Sequence, residues 1–483
     1  MADTFRILRV TRLSRILGFV LAASILCCCN CGFAARGRVF SVRTHGVAND
    51  GSRDVTAALQ KILDEAAAAG GGTVVLDPGV YLSGALFLKS HTHLAISPGA
   101  VLMGTTEKSA YPLVATRAAG IEMQWPAALL NIDNQTDVSI EGAGTIDGNG
   151  RQWWDAFWSR VPAYEERGLR WAVDYDVQRP ELIRIYNSHA VRVGKGLLLR
   201  RSAFWTVHIC YSSHVVVSGV TIRDNDGPGG LGPSTDGVDI DSSRHVLVEK
   251  VDIENNDDAI CLKAGMNADG QRVNRPTEDV VIRDSIVREG ISAIAIGSDT
   301  AGGFRNIRIQ NIKILHGVRY GIYFKSTHTR GGWTENVRLS DVAMEGVKTA
   351  IMVDLDYFPA FSTPRIPVGI EKNLPPDLKA IPEYWHVLSA PVAPERGLPH
   401  FRDIRLTRIT AQHAGYAFQV NAAPEAPLER FKLKDLHLDA EHAGSIRHTK
   451  GWTLRDVRVI SHDGHSLVTE DMQDCMGAVQ QGK

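Results

Sequence analysis

Along most of the chain, apolar and polar residues alternate with period two in short strings that keep returning. VSIEGAGTI begins at Val138, VRVGKGLLL at Val191, VVVSGVTI at Val215 and VLVEKVDI at Val246. VVIRDSIV follows at Val280, IRIQNIKI at Ile307, VRLSDVAM at Val337, IRLTRITA at Ile404, FKLKDLHL at Phe431 and WTLRDVRV at Trp452. Successive starts from Val191 to Val337 lie 24, 31, 34, 27 and 30 residues apart, and the last pair 21. Each string is rich in β-branched residues and ends in Gly, Asn, Asp or Ser turn chemistry, the pattern of a half-buried strand. No single string can bury its apolar side alone, and recurrence at this spacing marks a solenoid built of strands. Stacked coils would pair each strand with its equivalent one turn later, about 4.8 Å away. The expectation is an all-β chain forming a right-handed parallel β-helix. A helix over roughly 54–69, with Leu59, Ile62 and Leu63 on one face, is expected to cap its N-terminal end. A β-propeller is the rival, but its blades need about 40–45 residues each, and these coils are shorter.

A chain of 483 residues suggests about three ordinary domains. A solenoid instead grows by adding coils, so residues 36–483 are expected to be one β-helix domain. Two segments break the rhythm: 151–180, which carries Trp153, Trp154, Trp158 and Trp171, and the Pro-rich 355–400. Insertions in a solenoid project as loops, often around the binding face. Indole faces suit the apolar faces of sugar rings; equally, these tryptophans could simply pack the insertion onto the barrel.

Residues 1–35 have the layout of an export signal. Arg6, Arg9, Arg12 and Arg15 precede an apolar run from Ile16 to Leu26, and small residues end at Ala34 and Ala35. The expected location is therefore secreted or periplasmic, with no stable membrane span after cleavage. A retained N-terminal anchor is the other reading, and Cys27, Cys28, Cys29 and Cys31 raise lipid attachment without a convincing lipidation box. Cleavage would leave Cys210, Cys261 and Cys475, too few for a disulfide scaffold. One bridge is possible, but Cys210 and Cys261 lie in apolar strand patterns that suit buried free thiols. Those three cysteines include no Cys-x-x-Cys pair, and no His cluster has structural-zinc spacing, so neither metal nor cofactor is expected.

Lys plus Arg number 53 against 54 for Asp plus Glu, a formal charge of -1, which gives no basic field for nucleic acid. The 44% hydrophobic content rules out a disordered chain. A monomer is expected.

The densest polar chemistry lies in two consecutive coils: GPSTDGVDIDSS, with Asp236, Asp239 and Asp241, and NNDDAICLKAG, with Asp257 and Asp258. Asp236 and Asp257 are 21 residues apart, about one coil, which would put them on neighbouring rungs of one face. Crowded carboxylates raise at least one pKa. A raised carboxyl can serve as general acid while an ionised neighbour activates water, the equipment of a glycosidase. Turn capping or calcium binding is the alternative use of such residues. Lys325, in GIYFKS, could bring a positive charge to the same face.

On these residues the chain resembles glycoside hydrolase family 28, the polygalacturonases and their relatives. STDGVDI resembles the family's Asn-Thr-Asp motif with Ser234 in place of Asn, and NNDDAICLKAG resembles its Asp-Asp motif. FSVRTHGVANDGSRDVTAALQKIL, GTIDGNGRQWW, SAFWTVHICYSSHVVVSGVTI, AGMNADGQRVNRPTEDVVIRD and IAIGSDTAGGFRNI extend the resemblance over nearly the whole chain beyond the leader. It implies a secreted pectin-directed hydrolase acting by single displacement with inversion, on galacturonan or rhamnogalacturonan. Asp257 would be the general acid, and Asp236 and Asp258 would hold and activate the water. The general spacing rule points the other way: inverting pairs stand about 6.5–9.5 Å apart, and adjacent rungs would lie closer.

Two family motifs are altered. Ser292 stands where the Gly-His-Gly motif has histidine, and Tyr323 stands where Arg-Ile-Lys has arginine, with Lys325 kept. Loss of the arginine removes a bidentate carboxylate partner that lysine does not replace. That shifts the expected substrate toward a neutral sugar, such as rhamnose, beside the scissile bond. His208 and Lys263 are further groove candidates, with structural roles as the alternative. Two other functions remain open: a calcium-dependent pectate-type lyase, which would want a strong Arg or Lys base, and a non-catalytic polysaccharide-binding β-helix.

Overall fold

The computed structural model describes residues 37–225 and 231–482, so the expected leader, with its four cysteines, lies outside the described residues. The strands pair in parallel from coil to coil within one 30-stranded sheet. Their register explains why the strings recur. Val138 pairs with Val191, Val191 with Val215, Val215 with Val246 and Val246 with Val280. The file continues through Ile307 and Val337 to Ile404. All eight are buried, so residues picked out by alternation alone form one stack of branched side chains inside the coil. The chain is a right-handed parallel β-helix, the hand that parallel crossovers take.

The residue just before each of those eight positions has a left-handed backbone: Asp137, Ala190, His214, His245, Asp279, Asn306, Asn336 and Asp403. That conformation turns the corner between two sheets, and Asn and Asp adopt it most readily. The corner is also a ladder in its own right. Asn306 Nδ2 donates to Asp279 at 3.0 Å and Asn336 Nδ2 to Asn306 at 2.7 Å.

The capping helix spans Thr56–Ala68 and starts where the Asp54 carboxylate accepts the Thr56 N–H at 2.8 Å. Leu59, Ile62, Leu63 and Ala66 join the main core. Each large apolar side chain taken out of water stabilises by roughly 1.5–3 kcal/mol, and here the area covered is the open end of the solenoid.

The segment 151–180 is helical rather than a plain loop, with helices Arg151–Glu165 and Val173–Asp176. It packs on the 355–400 insertion through a separate apolar cluster that includes Phe157, Leu169, Trp171, Ile370, Trp385 and Leu388. Tyr384 Oη and Trp385 Nε1 both donate to Asp176, at 2.6 and 3.1 Å. Trp153, Trp154 and Trp171 are buried and Trp158 is 42% exposed, so three of the four tryptophans build the insertion instead of facing a sugar. An antiparallel hairpin, Leu113–Ala118 with Ile121–Pro126, lies outside the solenoid sheet. Cys210, Cys261 and Cys475 are all free thiols, the first two buried.

Candidate active site

Strand Val238–Asp241 shows how the sequence makes a polar floor. Val238 and Ile240 enter the core, and alternation sends Asp239 and Asp241 outward. Outward positions line up across coils: His208 with Asp239 and Cys261, and Cys210 with Asp241 and Lys263.

Register also settles how the acidic residues stack. Val238 pairs with Ile260 and Ile260 with Ile294, which puts Asp236, Asp258 and Ser292 at equivalent rungs. The backbone confirms this: Gly237 N–H donates to Asp258 O at 2.9 Å and Ala259 N–H to Ser292 O at 2.7 Å. The coil step is therefore 22 residues rather than 21, so Asp258, not Asp257, is the rung mate of Asp236. Asp257 stands one residue earlier and is half-buried, whereas Asp236 and Asp258 are buried.

Two lysines are set into this acidic stack. Lys263 Nζ lies 3.1 Å from Asp236 and 3.3 Å from Asp239, with the Trp205 ring 4.6 Å away. Lys325 Nζ lies 2.7 Å from Asp258, flanked by the rings of Tyr357 at 4.7 Å and Tyr323 at 5.3 Å. The charges separate the carboxyls. Burial, reinforced by Asp236 and Asp258, pushes Asp257 well above the ordinary carboxylate range. Burial opposes ionisation of Asp258 too, but Lys325 and Lys263 prevail, with a contribution from Ser292, and hold it below. Burial raises Asp236, partly offset by Lys263. Burial and neighbouring charges thus push the two adjacent carboxyls in opposite directions, the separation that acid–base chemistry needs.

All three aspartates and both lysines line one cavity, closed by Asp174 and Tyr175 of the first insertion and Tyr357 and Phe361 of the second. Asp174 is held by Arg179 at 2.7 Å, and Asp299, also in the wall, by Arg330. Tyr323 is buried and acts on the site by packing beside Lys325. Ser292 is buried one rung below Asp258. His208 does not reach the cavity. It is fully buried, its Nδ1 2.8 Å from Glu181 and its Nε2 3.7 Å from Asp241, with Trp205 packed edge-on 4.7 Å away. Its expected place in the substrate groove is corrected to a structural one, because Trp205 covers it.

The floor is sealed on that side. Arg117, from the hairpin, donates to Asp241 at 2.8 Å and Ser242 at 2.6 Å, and Tyr211 Oη donates to Glu122 at 2.9 Å. Among the described residues, two groups of side chains come within metal-ligating reach, His208, Cys210 and Asp241, and Asp236, Asp258 and Cys261, each with ligand atoms within 4.8 Å of one another. In both, a cation would compete with one already in place, Arg117 in the first and Lys263 with Lys325 in the second. Trp205, Tyr357, Phe361, Asp174 and Asp299 were not predicted as site residues. Their distances along the chain carry no periodic signal; only the insertions as a whole were visible.

Residues 112–372 match the family model described as Glycosyl hydrolases family 28, and residues 39–111 one described as Rhamnogalacturonase A/epimerase, pectate lyase-like. The chain is 27% identical over 368 residues to a probable polygalacturonase of Vitis vinifera, covering 71% of each. It is 26% identical over 361 residues to an exo-poly-alpha-D-galacturonosidase of Dickeya chrysanthemi, covering 66% of this chain and 57% of that one. The exopolygalacturonase of Thermotoga maritima superposes with a TM-score of 0.70 at 22% identity, over 92% of both chains. The family 28 exopolygalacturonase of Yersinia enterocolitica gives 0.74 at 21% identity, over 91% of this chain and 78% of that one. At these identities the two structures establish the shared fold.

Proposed function

Because this chain belongs to glycosyl hydrolases family 28, and is therefore a glycoside hydrolase, we propose that it cuts a pectic polysaccharide by single displacement with inversion. Asp257 donates its proton to the glycosidic oxygen as the bond to the anomeric carbon breaks. Water held between Asp236 and Asp258 attacks that carbon from the opposite face and gives its proton to one of the two carboxylates. The observation that carries this reading is that the three aspartates share one cavity in which Asp258 is paired with Lys325 at 2.7 Å while its neighbour Asp257 has no ion-pair partner among the described residues, which pushes the two carboxyls in opposite directions. The closeness of Asp236 and Asp258 is that of two groups sharing one water, so the acid–base spacing rule does not apply to that pair.

The cavity also bears on the substrate. Its two ammonium groups are both spent on aspartates, and no arginine is among its described lining residues. A sugar carboxylate beside the cut would find no unspent cation, which favours a neutral sugar there, as in rhamnogalacturonan. Asp174 and Tyr175 of the first insertion and Tyr357 and Phe361 of the second wall in the cavity, which favours attack at chain ends. The free space is about 80 Å³, against roughly 300–1,000 Å³ for pre-formed ligand pockets. A sugar ring would need side chains of this wall to move as it enters.

No helix among the described residues is long and apolar enough to cross a membrane. We read residues 1–35 as an export leader and the enzyme as a monomer in a cell-wall-facing compartment. Product analysis on polygalacturonan and rhamnogalacturonan, with chelator present, tests the reading. New reducing ends of inverted anomeric configuration, absent for Asp257→Asn, are expected. Unsaturated products absorbing in the ultraviolet would identify a lyase instead, and an early ladder of mixed oligomers would sink the chain-end mode.

A further inference from the structure

The turn over residues 297–303 has two working sides. Ser298 and Asp299 face the catalytic cavity, while Ala301, Gly302 and Gly303 line a second hollow of about 700 Å³ that shares no lining residue with the first. That volume already lies in the range of pre-formed ligand sites, roughly 300–1,000 Å³. Trp333 lines it, 47% exposed although it lies in a regular strand.

Register explains both its rigidity and its exposure. On the following coil Trp333 pairs with His400, whose ring stacks on the indole with centroids 4.2 Å apart and planes 16° apart. The Arg402 guanidinium lies 4.2 Å from the ring and is anchored by Glu335 at 2.7 Å. On the preceding coil the neighbour is Gly303. A β-carbon there would come within 2.6 Å of the Trp333 carbonyl oxygen, so this position requires glycine. Having no side chain, Gly303 leaves the indole uncovered. The ring is buttressed on one side and open on the other.

The charges around it suit an anion. Three guanidinium groups, Arg305, Arg396 and Arg402, line the hollow against two carboxylates, Glu335 and Glu395. Arg305 pairs with Glu278 and Arg402 with Glu335. Exposed Arg396 has no ion-pair partner among the described residues. A flat aromatic face beside an unspent guanidinium matches a sugar ring that carries a carboxylate: the apolar ring face packs on the indole, and the planar fork takes the acid. The catalytic cavity lacks such an unspent cation.

We propose that this groove is a second, non-catalytic saccharide site that holds a uronic-acid stretch of the polymer while a neutral sugar is cut next door. The choice of a uronate glycan rests on the pectic reading above; the site itself does not. Native-gel retardation tests it in an Asp257→Asn background, which cannot consume the probe, with sodium polygalacturonate as the probe and dextran as neutral control. Retardation in polygalacturonate alone is expected. Trp333→Ala and, separately, Arg396→Ala should each weaken it about five- to tenfold, the loss of a stacking contact or a charge-assisted hydrogen bond, and Trp333→Tyr should retain most of it. In the otherwise unaltered enzyme the same substitutions should leave turnover of short soluble substrates unchanged. Equal retardation of Trp333→Ala and its parent, no retardation in polygalacturonate, or equal retardation in dextran would overturn the proposal. Because retardation is read without turnover, failure of the hydrolase reading would show separately, as absence of product.

Discussion

On one side of Trp205, Asp241 lies between Arg117 and His208, all three fully buried under the hairpin. On the other side, Asp236, Asp257 and Asp258 face Lys263 and Lys325 across a cavity. Apart from Arg117, which the hairpin supplies, both sets come from outward positions or adjoining turns of the same sheet, and both place buried carboxylates beside basic groups. They differ in charge balance and in access. In the sealed set, burial opposes ionisation, yet Arg117 and His208 together hold Asp241 at about 2, so its carboxylate is fully committed. In the open set carboxyls outnumber ammonium groups, and burial together with the neighbouring Asp236 and Asp258 pushes Asp257 up. Polar density alone therefore does not mark a catalytic centre; unmatched charge at an accessible surface does.

The largest effect that would test this contrast is on activity. Asp257→Asn should cut kcat by about 10²–10⁴-fold, the usual worth of a positioned general acid, with the melting temperature unchanged; both are read on the same preparation. Arg117→Leu should do the reverse. It strands a buried carboxylate, so unfolding by denaturant should show a loss of about 3–5 kcal/mol, with the chemistry of the neighbouring cavity kept in whatever fraction folds.

Lys325→Met sharpens the comparison by making the open set still more acidic. Asp258 then loses the ammonium that holds it low, its pKa rises, and the acid limb of kcat/KM should move to higher pH. An unmoved limb would mean that another group sets it. Acid unfolding should report the sealed set. Because Asp241 is depressed in the folded state, its contribution is present above the ordinary value of about 3.9 and is lost as pH falls toward about 2. The smallest effect is expected at Trp158, half-exposed, with its Nε1 donating to Leu231 O at 2.8 Å. Trp158→Ala should cost about 1 kcal/mol, one hydrogen bond's worth, and leave turnover intact.

Much of this architecture was open to reading. The strings from Val138 to Ile404 were found by alternation because every coil must bury the same face, and their starting residues proved to be register partners from coil to coil. Leu59, Ile62 and Leu63 of the cap were legible for the same reason, at helical period. The acidic pair of coils was also visible. Its stacking was misjudged by one residue, because the turns that flank strands Arg244–Glu249 and Asp252–Glu254 set the register and no periodicity counts residues inside a turn. His208 was misplaced because it occupies an outward position like the working residues; what covers it, Trp205 and the distant hairpin, leaves no mark in its own string.

Taken alone, the sequence determined the solenoid, its cap, and the coils where carboxyls crowd, since period and composition are local properties repeated along the chain. Which carboxyl keeps its proton, which polar residues are sealed away, and that both insertions close on one cavity were decided only by tertiary structure. These depend on distances between residues far apart in the chain, such as Lys325 to Asp258 and Arg117 to Asp241, and both burial and Coulomb interaction act through those distances.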